Sequence, residues 1–268
     1  MQIITLTTDW GYSDHYVGVV KGRLYSTISD VNVVDISHNI PKYDLLSAAF
    51  VVKNACFEFP KGTIHIIDVN SYETTINERE KREKNFVAIS HKGHYFICTD
   101  DGLPSIVCGD EDLEIVQITS YNESNYYTFT ALDLFAKVAK NIAESGKIDF
   151  LGVRQEGLLN KITKSYPIIQ HDRITAEVIY IDDYGNAFLN ITDSEFQTAL
   201  NGRKFCITID SQKKITSLSQ SYADNMRRDD VLLTISSTKH LQLSIREGSI
   251  KKLRNLEVGK SVVIDILP

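Results

Sequence analysis

Residues 1–70 alternate short β-rich runs with segments of helical period, and this alternation restricts the fold more than any other feature of the chain. Residues 3–7 form a β-rich run, and residues 15–28 then carry Tyr16, Val19, Val20, Leu24 and Ile28 at helical spacing. Residues 31–36 have the look of a buried strand. Residues 44–57 read as a helix with Asp44 at the N-cap and an apolar face through Leu45, Ala48, Ala49 and Val52. A third strand covers residues 63–69. Strand–helix–strand–helix–strand is the order that right-handed crossovers make, and it implies a largely parallel sheet with covered faces.

Beyond residue 70 the rhythm changes. Residues 76–84 are a mixed-sign charge run that reads as a solvated loop. Residues 86–90 and 95–99 flank His91-Lys92-Gly93-His94 as a hairpin, with both histidines expected to be exposed at the turn. A helix is expected over residues 131–145, turning Leu132, Phe135, Val138, Ala139 and Ile142 inward and stopping at Gly146. Residues 150–170 read as a connector. Thereafter short strands are expected at 176–181, 187–191, 204–209, 231–235, 240–245 and 261–266, with turn residues and no helix between them. The fold class is therefore an α/β N-terminal domain with a largely parallel sheet, residues 1–160. A smaller all-β domain, barrel- or sandwich-like, follows over residues 170–268. A length of 268 residues fits two such domains.

A formal charge of −6 argues against a general nucleic-acid binder. The four cysteines are scattered without a CxxC pair, which fits free thiols in a reducing compartment better than a disulfide framework or zinc site. No apolar run approaches the roughly 18–20 residues of a membrane span, and the chain enters its first strand with no basic leader before it. A cytoplasmic protein without membrane or nucleic-acid partners is the expectation. His38 follows a buried strand and reads as structural, and no histidine pattern suggests a metal. No GxSxG, GxGxxG or P-loop is present.

Ligands of open α/β sheets bind beyond the carboxyl ends of the strands. Thr7-Thr8-Asp9-Trp10-Gly11 ends the first strand, and Asp14 precedes the first helix. Asp68 ends the third strand, followed by Asn70, Ser71 and Glu73, and Thr99-Asp100-Asp101-Gly102 ends a later one. Taken singly, each Asp reads as a cap of the following helix or turn. Several on one rim read as a site, where a strand-end carboxylate can accept both hydroxyls of a ribose. In the second half, Asp182-Asp183-Tyr184-Gly185-Asn186 reads first as a hairpin turn. Its aromatic and amide groups also suit a purine, by stacking and edge hydrogen bonds.

Together these segments resemble the S-adenosylmethionine (SAM) hydroxide adenosyltransferases, a family that also contains fluorinating and chlorinating enzymes. The resemblance rests on residues 8–18 with Lys21-Gly22, on Val34-Asp35-Ile36-Ser37-His38-Asn39-Ile40-Pro41, and on Ala48-Ala49-Phe50-Val51. It continues through Phe59-Pro60-Lys61-Gly62-Thr63-Ile64-His65, Asp100-Asp101-Gly102-Leu103, and Asp182 through Asn186 to Asn190-Ile191. It implies a homotrimer whose sites lie between one subunit's first domain and its neighbour's second. It also implies SAM as a substrate rather than a cofactor, with water attacking ribose C5′ in line to give adenosine and L-methionine. By position, Asp9 would hold the ribose hydroxyls and Tyr43 would pack on the sugar. Asp14 and Asp182 would face the methionine ammonium, with Ser237 near that end. Asn186 would read adenine between Tyr184 and Phe188, and Phe129 would wall the reacting carbon. Ser71 is assigned to the same substrate-binding set.

The resemblance departs from the family pattern where water is activated. Hydrolytic members carry Asp-Pro-Gly-Val-Gly, a nearby Arg, and Thr-Phe-His-Gly-Arg-Asp. Here the first segment is Asp68-Val69-Asn70-Ser71-Tyr72, the Arg position falls on Thr75, and Thr130 replaces the His. Asp68, Thr130 and Glu73 are the catalytic candidates, with Arg79 or Arg82 as a cation able to swing in. The alternatives are a non-catalytic SAM or adenosine binder and, ranked lower, a SAM-dependent halogenase.

Overall fold

The computed structural model describes residues 1–72, 85–119, 128–210, 213–224 and 230–268. Glu73, Thr75, Arg79, Arg82 and the 76–84 charge run lie outside the described residues. The chain divides into two compact units, Met1–Thr163 and Lys164–Pro268.

In the first unit the elements run β1 (Gln2–Thr8), α1 (Tyr16–Thr27), β2 (Val31–Ser37), α2 (Leu45–Ala55), β3 (Ile64–Asp68) and β4 (Phe86–His91). They continue with β5 (His94–Thr99), α3 (Leu103–Cys108), β6 (Glu114–Ile118), α4 (Ala136–Ser145) and β7 (Gly152–Gln155). The seven strands form one sheet in the order β2-β1-β3-β5-β4-β6-β7. The first four are mutually parallel, and β4, β6 and β7 extend the sheet through antiparallel pairs. Side chains alternate between faces along each strand, as the two-residue period requires. Ala88, Ile97 and Val116 join α1 and α4 in one core, while Val87, Ile89, Phe96 and Ile115 join α2 and α3 in another. Helices thus cover both faces.

Local chemistry accounts for the ends of several elements. Asp44 caps α2, its carboxylate accepting from the Ser47 amide at 3.0 Å and the Ser47 hydroxyl at 2.6 Å. Gly146 ends α4 in the left-handed conformation at φ +66°. A π-helical stretch, Ala131–Phe135, leads into that helix. In α1 Val20 and Leu24 face inward as expected, with Ile28 buried just beyond the helix, whereas Val17 takes the inward place expected of Tyr16 and Val19.

The expectation that His91 and His94 are exposed is overturned, for both are buried. Only Lys92 and Gly93 form the exposed hairpin tip. Phe57 packs edge-on against both imidazoles, at ring distances of 6.0 and 5.6 Å. His94 Nδ1 also lies 3.2 Å from Nε2 of His65, whose Nδ1 is 2.7 Å from Thr5 Oγ1.

The stretch 150–170 is more than a connector. It contributes β7 to the sheet and β8 (Ile168–Ile169) to the second unit. Its course is fixed by Asp100, a buried residue whose carboxylate accepts the Leu159 amide at 2.8 Å and the Asn160 amide at 3.3 Å. The Asn160 side chain donates to the Asp100 carbonyl at 2.6 Å. Gly102, at φ +101°, is needed beside it, because a Cβ there would stand 2.5 Å from Ile162.

The second unit continues with β9 (Arg173–Ile181), β10 (Ala187–Thr192), α5 (Asp193–Leu200), β11 (Lys204–Asp210) and β12 (Lys213–Ile215). It ends with β13 (Val231–Ile235), β14 (His240–Ile245), α6 (Ile250–Arg254) and β15 (Ser261–Leu267). All pairings are antiparallel, in the order β12-β11-β15-β9-β10-β14-β13 with β8 on β9. The terminal strands β12 and β13 approach each other, so the sheet curls into a nearly closed barrel. Its interior holds Ile174, Val178, Leu189, Leu233, Leu243 and Ile264. Among the described residues two helices interrupt the expected run of strands. The longer, α5, starts at a capping box in which Thr192 and Glu195 each satisfy the other's backbone N–H. It buries Phe196 against Phe205 at 5.2 Å between rings.

Candidate functional site

In the first unit the polar residues gather beyond the carboxyl ends of the parallel strands. Thr8 and Asp68 are register partners at the ends of β1 and β3, so Asp9 follows directly beside Asp68. Asp9 is buried, and its Oδ2 accepts the backbone amides of Tyr43 at 2.9 Å and Asn70 at 3.3 Å. Both donors adopt left-handed backbone conformations, at φ +66° and +53°. One carboxylate oxygen therefore fastens the loops after β2 and β3, and the Lys42 ammonium donates to the Asp9 carbonyl. A carboxylate offers about four lone-pair directions, which leaves Oδ1 room for further donors.

Aromatic rings surround this corner. Phe129 meets Trp10 edge-on at 5.2 Å and Tyr16 at 5.0 Å, which brings the start of the π-helical stretch to the end of β1. Thr130 beside it is fully buried, and its hydroxyl has no hydrogen-bond partner among the described residues. Trp10 also stacks on His38 at 6.0 Å. His38 Nδ1 is 2.7 Å from Thr8 Oγ1, and its Nε2 is 3.1 Å from Asp35, which Lys21 binds on its other oxygen at 2.6 Å. Burial pushes the His38 imidazole below its ordinary pKa. Burial alone would raise Asp35, but the Lys21 hydrogen bond and the neighbouring His38 imidazole prevail and hold its carboxyl low. His38 thus braces the β1 end, in keeping with a structural role.

The remaining expected residues of this unit divide. Ser71 Oγ lies 2.9 Å from Thr99 Oγ1, tying the loop after β3 to the end of β5. Tyr43 is exposed, and so is Asp14, which does not cap α1; the N-cap there is His15, without a side-chain bond. Capping therefore does not explain Asp14. Asp100 goes the other way, since its carboxylate is engaged by backbone amides of the 159–160 segment.

The second unit carries an open cleft of about 960 Å³ whose lining includes Asp182, Tyr184, Asn186, Phe188 and Ser237. Asp182 and Asn186 also make the turn between β9 and β10. Asp182 Oδ1 accepts the Asn186 amide at 2.8 Å, and Oδ2 accepts Asn186 Nδ2 at 2.9 Å. Gly185, at φ +85°, is obligatory there, because a Cβ would fall 2.0 Å from Ser249 Oγ. Turn-making and lining thus coexist in these two residues, and Asn186 retains its side-chain carbonyl and one N–H for other partners. Tyr184 is exposed, whereas Phe188 is buried with Tyr180 at 5.9 Å.

Sequence reasoning missed Lys42 beside Asp9, and Tyr222, Thr234 and Gln242 in the cleft. Trp10 had a signal, an aromatic ring directly after a strand-end Asp. Tyr222 had none, for it lies on a segment without regular structure. Among the described residues, no three His, Cys, Asp or Glu side chains are gathered to hold a metal ion.

An α/β unit with acidic residues along the carboxyl edge of its sheet, followed by an antiparallel barrel with an open polar cleft, defines a two-domain class of protein. Residues 4–152 match the SAM hydroxide adenosyltransferase N-terminal domain, and residues 176–263 match the C-terminal domain of the same name. The chain belongs to the SAM hydroxide adenosyltransferase family. It is 30% identical over 202 residues to an (R)-S-adenosyl-L-methionine hydrolase of Methanocaldococcus jannaschii, covering 73% of this chain and 69% of that protein. An (R)-S-adenosyl-L-methionine hydrolase of Salinispora arenicola is 25% identical over 195 residues, covering 70% and 72%. A conserved protein of Thermotoga maritima shares the fold with a TM-score of 0.83 at 21% identity, covering 98% of this chain and 99% of its own. A conserved protein of Thermus thermophilus gives 0.71 at 19% identity, covering 100% of both chains.

Proposed function

We propose that this protein hydrolyses SAM to adenosine and L-methionine. The observation that carries the reading is that Asp182, Tyr184, Asn186, Phe188 and Ser237, each assigned from the family pattern, line one cleft. The relatives named as SAM hydrolases support the same reaction. Water attacks ribose C5′, an O–C5′ bond forms and the C5′–S bond breaks. The bonding electron pair goes to sulfur, and the sulfonium leaves as neutral methionine. The proton released from water passes to a carboxylate or to solvent. Because the leaving group needs no protonation, the protein's task is alignment and exclusion of competing solvent.

In this reading Asp9 Oδ1 receives the ribose hydroxyls and Asp68 orients the attacking water. Phe129 walls the reacting carbon, and the Thr130 hydroxyl has hydrogen-bonding capacity to spare. Asp14 and Asp182 take the methionine ammonium, and Asn186 reads the adenine edge between Tyr184 and Phe188. Tyr43 and Ser71 complete the sugar side. We also propose a homotrimer, which light scattering at three times the chain mass would support and a monomer mass would refute. The free, buried thiols favour a cytoplasmic setting.

One observation favours a second reading. Thr130 stands where the hydrolytic pattern has His, and general-base assistance is worth on the order of 10²–10⁴-fold. A protein without it binds SAM and turns it over negligibly. Incubation with SAM, with and without chloride, followed by chromatography separates the cases. Adenosine and methionine in equal amounts, lost in D68N, support hydrolysis. Bound but intact SAM establishes the binder, and chloride-dependent 5′-chloro-5′-deoxyadenosine establishes a halogenase.

A further inference from the structure

We propose that Gln242 is a positioning residue that fixes the Tyr222 hydroxyl as a hydrogen-bond donor to a purine ring nitrogen in the second unit's cleft; this rests on the adenosyl-ligand reading above. Along β14, Leu241, Leu243 and Ile245 enter the barrel core, so Gln242 and Ser244 occupy the opposite face. That face of a barrel strand is ordinarily wet, yet Gln242 is only 2% exposed and Ser244 0%. A buried amide must be hydrogen-bonded, and here both of its N–H groups are used. Gln242 Nε2 donates to Tyr222 Oη at 2.7 Å and to Ser244 Oγ at 2.8 Å.

This arrangement sets the polarity of Tyr222. An amide NH₂ cannot accept, so Oη is the acceptor of that bond and the phenolic hydrogen is turned toward another acceptor. Tyr222 is half exposed and, with Gln242 and Thr234, lines the cleft. Its segment lacks regular structure and is closed on itself, Asp224 accepting the amides of Gln220 at 2.6 Å and Ser221 at 3.0 Å. The bond to Gln242 ties the ring to the barrel wall. A hydroxyl held with its hydrogen outward favours ligands that offer an acceptor, and the ring nitrogens of a purine are such atoms.

Calorimetry of the full chain with adenosine and its 1-, 3- and 7-deaza analogues tests this. The wild type is expected to bind adenosine about five- to tenfold more tightly than one of the three analogues, the size of one neutral hydrogen bond. Y222F should weaken adenosine by the same factor and erase the difference from that analogue. Q242E keeps the contact but reverses it, since a carboxylate accepts the phenolic hydrogen; it should mimic Y222F, and the double variant should lose no more than either alone. Losses that multiply in the double variant, or a Y222F protein that still discriminates, would overturn the proposal. If Q242E fails to fold, the Y222F pattern across the analogues decides the matter. A wild type that binds adenosine without distinguishing any analogue refutes the role of Tyr222 alone. One that binds neither adenosine nor SAM refutes the adenosyl reading and this proposal with it.

Discussion

Acid should unfold the first unit through His65, and the size of the effect follows from its surroundings. His65 is 1% exposed in the middle of β3, between Thr5 Oγ1 at 2.7 Å and His94 Nδ1 at 3.2 Å, with Phe96 stacked on it at 5.0 Å. A neutral imidazole suits both polar contacts, donating at one ring nitrogen and accepting at the other. An imidazolium has two donors and no solvent. Burial, with the neighbouring His94, pushes the pKa of His65 down from 6.5 to about 3. The unfolded chain therefore binds a proton that the folded chain refuses, and stability falls as the pH drops below 6.5. Each pH unit is worth roughly 1.4 kcal/mol, so about 3 kcal/mol is lost by pH 4.5. Urea unfolding reads this directly, because Trp10 is the only tryptophan and reports the first unit alone. With a slope of about 1–3 kcal/mol per molar urea, the midpoint of the wild type should fall by about 1 M or more between pH 7.5 and 4.5. H65Q removes the titrating ring. It should be less stable at pH 7.5, but its deficit should shrink by roughly 2–3 kcal/mol at pH 4.5. His38 is not among the contacts of His65 and its contribution largely cancels, whereas H94Q, made alone and with H65Q, separates the share of the neighbouring imidazole. A deficit that stays constant across this range would refute the argument.

Three further perturbations have expected outcomes. D100N should cost about 2–4 kcal/mol, because an amide group meets the N–H groups of residues 159 and 160, and limited proteolysis should then cut between residues 157 and 163. G102A combines a positive φ with a clash on Ile162; a loss of about 2 kcal/mol or more is expected in urea melts, partly recovered in G102A/I162A. The thiols of Cys56 and Cys108 are pushed by burial to about 12, so only about one in ten thousand is ionised at pH 8. An aromatic disulfide reagent should leave all four buried cysteines unmodified in the native protein and titrate them after unfolding; fast labelling of the folded chain would contradict the burial.

The pattern of the chain carried the architecture wherever a period had room to repeat. The parallel half of the sheet, the Asp44 cap and the inward face of α4 were all legible, because apolar spacing and a capping residue act locally. α3 and β6 are too short to show a period, and β7 owes its place to a partner strand rather than to its own composition. The capping box at Thr192 and Glu195 was legible and was overlooked. His91 and His94 misled because turn position suggests exposure, whereas the ring that buries them, Phe57, comes from a segment distant in sequence. Of the candidate site, the strand-end acids could be named but not sorted. Asp100 and Asp9 look alike in the chain, yet one is engaged by two amides of a distal segment and the other keeps an oxygen in reserve. Glu73 lies outside the described residues.

Because a single oxygen of Asp9 receives amides from both Tyr43 and Asn70, the two loops are energetically coupled through one shared acceptor. Displacing either backbone amide strengthens the claim of the other on the same lone pairs, so substitutions that alter the backbone turn at positions 43 and 70 should be epistatic rather than additive. Evolution then faces a narrow path: either loop can drift in side chain, but neither can change its backbone turn without retuning its neighbour. Any ligand donor that settles on Asp9 enters that same competition, and its arrival would be felt as altered amide protection in both loops at once.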